Sequence, residues 1–140
     1  MFVLVVGAGR VGSSVATSAL RAGPTVSVLD EDPLSHERLD VELGKSWEEA
    51  GGRFTIGTAL EQDALIESGI DEADVFIAST NGDNTNLVVA QLAQRRFDVP
   101  KVIARVLDPR RAAWYAEQGL RTICPTQIAI EQLEAAALGE

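Results

Sequence analysis

Phe2-Val3-Leu4-Val5-Val6-Gly7-Ala8-Gly9-Arg10-Val11-Gly12 is an aliphatic run that leads into a Gly-x-Gly-x-x-Gly turn, and a helical pattern follows at once. Each glycine fits one physical task. Gly7 permits a tight turn off the strand, Gly9 lets a ligand's phosphates approach the backbone, and Gly12 lets the helix lie close to the sheet. A helix starting here presents unpaired N–H groups and a positive dipole end to a pyrophosphate. Asp30 follows at the spacing expected of a carboxylate that binds ribose hydroxyls.

Working outward, strand and helix patterns alternate. Arg10 to Arg21 reads as a helix with Gly12, Ala16, Ala19 and Leu20 on one face, stopped by Gly23-Pro24. Thr25 to Leu29 reads as a second strand with Asp30 at its carboxyl end, and Leu34 to Leu43 as a helix. Gly44 to Gly52 is a loop or short helical turn holding Trp47. A third strand runs Arg53 to Ile56, followed by a helix from Leu60 to Glu67 with Leu60, Ala64, Leu65 and Ile66 inward. Asp74 to Ala78 is a fourth strand, and Thr85 to Phe97 a helix with two apolar stripes. Lys101 to Val106 is a fifth strand, Asp108-Pro109 opens a helix to Gln118, and Arg121 to Cys124 is a sixth strand. Thr126 starts a last helix running to Leu138. The expected fold is therefore α/β: a Rossmann-like, doubly wound parallel sheet of about six strands, order 3-2-1-4-5-6, with helices on both faces. Residues 1–140 form one domain in this reading, the last helix (126–138) being a candidate crossover to a neighbour.

Composition narrows the function classes. The net charge of −9 disfavours nucleic acid and anionic membrane, which reward clustered Lys and Arg. The single cysteine, Cys124, excludes an intramolecular disulfide and fits a reducing cytoplasm. One histidine and one cysteine fall short of a zinc site, so no metal ligands are expected and His36 reads as a surface helix residue. No segment has the length of a membrane span, so no direct membrane insertion is expected.

The remaining candidates cluster at strand ends. Asp30 accepts from two ribose hydroxyls and repels a 2′-phosphate, which favours NAD(H) or a plain adenosine nucleotide over NADP. Arg10 is either a phosphate ligand or a solvated surface residue. Gly57, Thr58 and Ala59 either face the adenine edge or form a plain turn. Ser79, Thr80 and Asn81 face the same crevice, with Asn84 a competing helix N-cap. Arg105, inside the fifth strand, needs either a ligand phosphate or a carboxylate partner. No catalytic set appears, so the chain is not expected to be an enzyme; a small NAD-dependent oxidoreductase, or a fragment needing another domain, is the alternative. The excess apolar stripe on the Thr85–Phe97 helix, extended by Trp114 and Tyr115, points to a second subunit.

Five stretches carry a more specific resemblance: Gly7-Ala8-Gly9-Arg10-Val11-Gly12; Val28-Leu29-Asp30; Leu65-Ile66-Glu67-Ser68-Gly69-Ile70 with Ala73-Asp74; Asn81-Gly82-Asp83-Asn84-Thr85-Asn86; and Val99-Pro100-Lys101-Val102-Ile103-Ala104-Arg105-Val106. With the close from Gly119-Leu120 to Cys124-Pro125-Thr126, the chain resembles the N-terminal (RCK or TrkA-N) domain of Trk/Ktr potassium-uptake regulators. The resemblance implies a cytoplasmic, non-enzymatic regulatory subunit that senses NAD(H) or ATP/ADP. It also implies assembly into a homo-oligomeric dimer or ring and docking on a membrane potassium channel or transporter. By position, Gly7, Gly9, Arg10, Val11 and Gly12 would hold phosphates, Asp30 the ribose, and Arg105 would lie near the nucleotide. The third-strand loop departs from the family's Gly-Asp-Ala, reading Gly57-Thr58-Ala59. The C-terminal ligand-binding domain of fuller members is not expected here, which makes the chain either a single-domain member or a piece of a longer one.

Overall fold

In the computed structural model, which describes residues 1–139, the parallel sheet forms as expected. Its strands are β1 (Phe2–Val6), β2 (Thr25–Asp30), β3 (Arg53–Ile56), β4 (Val75–Ala78), β5 (Lys101–Arg105) and β6 (Arg121–Ile123). They lie in the order β3-β2-β1-β4-β5-β6, every neighbouring pair parallel. The helices are α1 (Arg10–Arg21), α2 (Leu34–Leu43), α3 (Gln62–Glu67), α4 (Asp83–Arg95), α5 (Pro109–Glu117) and α6 (Pro125–Leu138), with a short 3-10 turn at Ile70–Glu72.

The alternation of side chains along β1 divides the core. Val3 and Val5 join Val26, Val28, Ala16, Leu39 and Trp47 on one face. Leu4 and Val6 join Leu29, Phe76, Leu65 and the buried side of α4 on the other. Burial on both faces explains why β1 is apolar without interruption. The strand order reverses between β1 and β4, so the carboxyl ends of β1 to β4 surround one crevice.

Local chemistry shifts several elements from their expected bounds. On α1 the buried face is Gly12, Ser13, Ala16 and Thr17, with Ala19 and Leu20 only partly covered. The two hydroxyls are tolerated inside because Ser13 donates to the Gly9 carbonyl at 2.7 Å and Thr17 to the Ser13 carbonyl at 3.0 Å. α3 begins at Gln62, not Leu60, and only Ala64 and Leu65 turn inward; Leu60 and Ile66 are exposed. α4 begins at Asp83, capped by Gly82, so Asn84 lies inside the helix and is not its N-cap. Asp83 is drawn into the first turn because its carboxylate accepts from the N–H groups of Leu107 and Asp108 at 2.7 and 3.0 Å.

Trp47 anchors the segment between α2 and β3. It is fully buried, and its indole donates to the Arg53 carbonyl at 2.9 Å. Gly52 is required beside it, because a Cβ there would run into the indole ring. Trp47→Ala removes the largest fully buried side chain and leaves a cavity; a loss of about 3–5 kcal/mol in urea unfolding followed by circular dichroism is expected. A loss below about 1 kcal/mol would show that this turn is not integral to the core.

Candidate functional site

The crevice at the carboxyl ends of β1 to β4 has a volume of about 490 Å³, within the range of roughly 300–1,000 Å³ typical of ligand sites. Each strand contributes the residues at which it ends: Val6 and Gly7, Leu29 and Asp30, Gly57 to Ala59, and Ser79 to Gly82.

The glycine loop shapes its floor. Gly7 has φ +95°, and a side chain there would collide with the Ser79–Thr80 backbone. A Cβ at Gly12 would collide with the Gly7 carbonyl oxygen, so this glycine sets how closely α1 meets the strand end. Gly9 is different: a Cβ there would meet nothing within 4 Å. Packing within the loop does not require its lack of a side chain, which leaves the space beside it open. The first i→i−4 bond of α1 runs from Ser13 to Gly9 at 2.9 Å. Among the described residues, nothing accepts from the N–H groups of Gly9, Arg10, Val11 and Gly12. Those donors and the positive end of a 12-residue helix are what the loop offers an anion.

Asp30 stands opposite, held by backbone. Its Oδ2 accepts from Ala8 N–H at 2.7 Å and its Oδ1 from Asp32 N–H at 2.8 Å. A carboxylate offers about four lone-pair sites, so each oxygen keeps one for a ligand hydroxyl. The Ala8 bond ties the end of β2 to the glycine loop.

Of the residues expected at the site, the crevice brings together Gly7, Gly9, Asp30, Gly57, Thr58, Ala59, Ser79, Thr80 and Asn81. Ser79 also ties β4 to the loop, donating to the Val6 and Gly7 carbonyls at 3.1 and 2.9 Å. Arg10 and Val11 are exposed and outside the lining, and Gly12 lies buried beneath it. Arg105 is also outside the lining. Its Nη1 reaches the Thr80 carbonyl at 3.4 Å, and its buried Nε has no partner. No carboxylate within ion-pair distance of it is present among the described residues.

One lining cation was not anticipated. Arg38, on α2, donates to the Ala8 carbonyl at 2.6 Å and lines the crevice with Ser35. It is the single basic side chain of a lining that also holds Asp30, Glu31 and Asp32. Its sequence signal was the register of α2: a helix entered directly after the Asp30 strand end places one face over that end, and Ser35 and Arg38, at i and i+3, share it.

Residues 3–125 match the family model described as the TrkA-N domain. Over 133 residues the chain is 41% identical to the Streptomyces coelicolor protein named "Trk system potassium uptake protein TrkA", a match covering 95% of this chain and 56% of that protein. This chain thus spans little more than half of that relative's length. Among solved structures, the Shewanella denitrificans Kef CTD in its AMP-bound form superposes with a TM-score of 0.78 at 24% identity, covering 99% of this chain and 80% of that one. GsuK bound to ADP gives a TM-score of 0.76 at 18% identity, covering 96% of this chain and 33% of that one. These two likenesses establish the fold alone. The family match runs from within β1 to the start of α6 and takes in every strand-end loop of the crevice, and the chain belongs to the TrkA-N domain family.

Proposed function

We propose that this chain is a nucleotide-sensing regulatory domain of a potassium-uptake system, not an enzyme. In this reading an adenine nucleotide, NAD(H) or ATP/ADP, occupies the crevice. Its diphosphate takes the free N–H groups at the start of α1, its ribose hydroxyls take the remaining lone pairs of Asp30, and its base lies toward Gly57-Thr58-Ala59. The observation that carries this is the pairing of unsatisfied donors and open space at Gly9 with a carboxylate fixed across the crevice. The crevice lining is acidic overall, so phosphate affinity must come from oriented N–H groups and Arg38, not from the protein's field. The names of the relatives support the same reading: one is named for Trk potassium uptake, and two structural neighbours are named as holding AMP and ADP.

A sensor must pass occupancy on. The outer surface offers the means. α6 buries none of its residues, and Ile128 and Leu133 stand 51% and 69% exposed. Trp114 on α5 and Val88 on α4 are about half exposed, at 55% and 48%. These faces cover one another in a homo-oligomer, with α6 as the crossing element. Ligand occupancy then shifts the packing between copies, and the assembly transmits that shift to a cytoplasmic face of a membrane potassium channel or transporter. No helix among the described residues is long and apolar enough to cross a membrane; in this reading the domain reaches the bilayer protein by docking.

Four results are expected. In a thermal-shift panel of NAD, NADH, ATP, ADP and AMP, at least one nucleotide raises Tm, by the equivalent of about 2.7 kcal/mol at a hundredfold excess over Kd. Calorimetry then finds its affinity about five- to thirtyfold weaker in Asp30→Ala, the loss of about 1–2 kcal/mol of charge-assisted hydrogen bonding. Gly9→Ala keeps the unliganded Tm and weakens binding as well. A panel without any shift, or unchanged affinity in Asp30→Ala, would remove the sensing role. Separately, sedimentation equilibrium should find the wild-type chain dimeric or larger and the Trp114→Glu/Leu133→Glu variant monomeric; a monomeric wild type at high micromolar concentration would contradict the assembly.

A further inference from the structure

α2 has two working faces. Ser35 and Arg38 turn toward the crevice; His36 and Asp40 turn toward the segment that follows the helix. His36 and Asp40 are four residues apart and therefore neighbours on one side of the helix. Glu48, beside buried Trp47, comes up to meet them. One ligand atom from each of the three lies within 4.8 Å of the others. His36 Nε2 and Glu48 Oε1 are 2.5 Å apart, the single ion-pair contact among the described residues of a chain with 21 acidic groups.

Two of the three donors, Asp40 and His36, are held in place by neighbours outside the set. Asp40 Oδ1 accepts from the Trp47 N–H at 2.8 Å, and Trp47 is fixed in turn by its complete burial. The His36 ring lies against Phe54 with 5.2 Å between centroids. Such support of metal ligands by a surrounding shell keeps donors oriented before an ion arrives. His36 and Asp40 are half-buried while Glu48 is exposed, so one side stays open to water.

Two carboxylates beside one imidazole leave a charge imbalance. A protonated histidine offsets one negative charge; a dication offsets both and uses the imidazole as a neutral donor. One nitrogen and two carboxylate oxygens suit a borderline divalent ion, whereas calcium and magnesium favour shells of oxygen alone. A count of histidine and cysteine misses this set, because two of its three members are carboxylates.

We propose that His36, Asp40 and Glu48 bind one divalent transition-metal ion of the zinc class, with water completing its coordination. The site lies on the far side of α2 from the nucleotide crevice and ties the helix to the turn carrying Trp47. It requires no nucleotide, so its test stands apart from that of the sensing role.

His36 is the chain's single histidine, which makes its ring signals an unambiguous reporter. In NMR titration of the full chain with zinc chloride, without nucleotide, the His36 imidazole resonances should shift to saturation at one equivalent. Calorimetry should find the zinc affinity about tenfold or more weaker in Glu48→Gln, which removes an exposed carboxylate, and in Asp40→Asn. Cys124→Ser and the neighbouring Glu49→Gln should bind as wild type does. Ring signals that do not move at millimolar zinc would overturn the proposal. So would the same titration curve in Glu48→Gln and the wild type, which would mark contact with a lone surface histidine.

Discussion

The Asp30 carboxylate bridges two strand ends, and the rest of the site depends on that bridge. By accepting from Ala8 N–H and Asp32 N–H, it fixes the glycine loop against the end of β2. The loop's next four N–H groups then have no acceptor among the described residues. A helix start leaves such donors for water, a side chain or a ligand to take. Arg38 reinforces the arrangement from α2 by holding the Ala8 carbonyl. The peptide flanking Ala8 is therefore gripped on both sides, and the turn holds its shape before any ligand enters. Preorganisation of this kind lowers the ordering cost of binding.

The same economy appears at the glycines. Gly7 and Gly12 answer to steric demands within the fold, since each would drive a side chain into backbone. Gly9 answers to none of these. Alanine would fit there, and the bare backbone leaves room beneath the crevice for the close approach of phosphates proposed above. The acidic rim of Glu31 and Asp32 works against a second phosphate near Asp30, consistent with a ribose whose 2′-hydroxyl is free.

Much of this was legible from residues alone. The order of the sheet followed from the alternation of short apolar runs and helical stretches, because β1's double burial and the Gly-x-Gly-x-x-Gly turn admit few topologies. The crevice residues at the ends of β1, β2, β3 and β4 followed from that order. What escaped the sequence was set by tertiary hydrogen bonds. Asp83 starts α4 early because of two N–H groups from the β5–α5 link, a contact across the sheet that no local pattern encodes. Ser13 and Thr17 face the core because they satisfy themselves on their own helix, which breaks the apolar stripe. Arg38 was hidden because an exposed arginine on a helix usually marks solvent. Arg105, expected beside the ligand, is separated from the crevice lining, yet its buried Nε still lacks a partner.

The most direct measurement is amide NMR of the nitrogen-15-labelled chain titrated with ADP, the portion common to NAD(H), ADP and ATP. The account predicts that the Gly9, Arg10, Val11 and Gly12 amides move furthest, as phosphate oxygens take up their free N–H groups. Saturation with ADP that leaves those four amides in place, or no response at millimolar ADP, would contradict it.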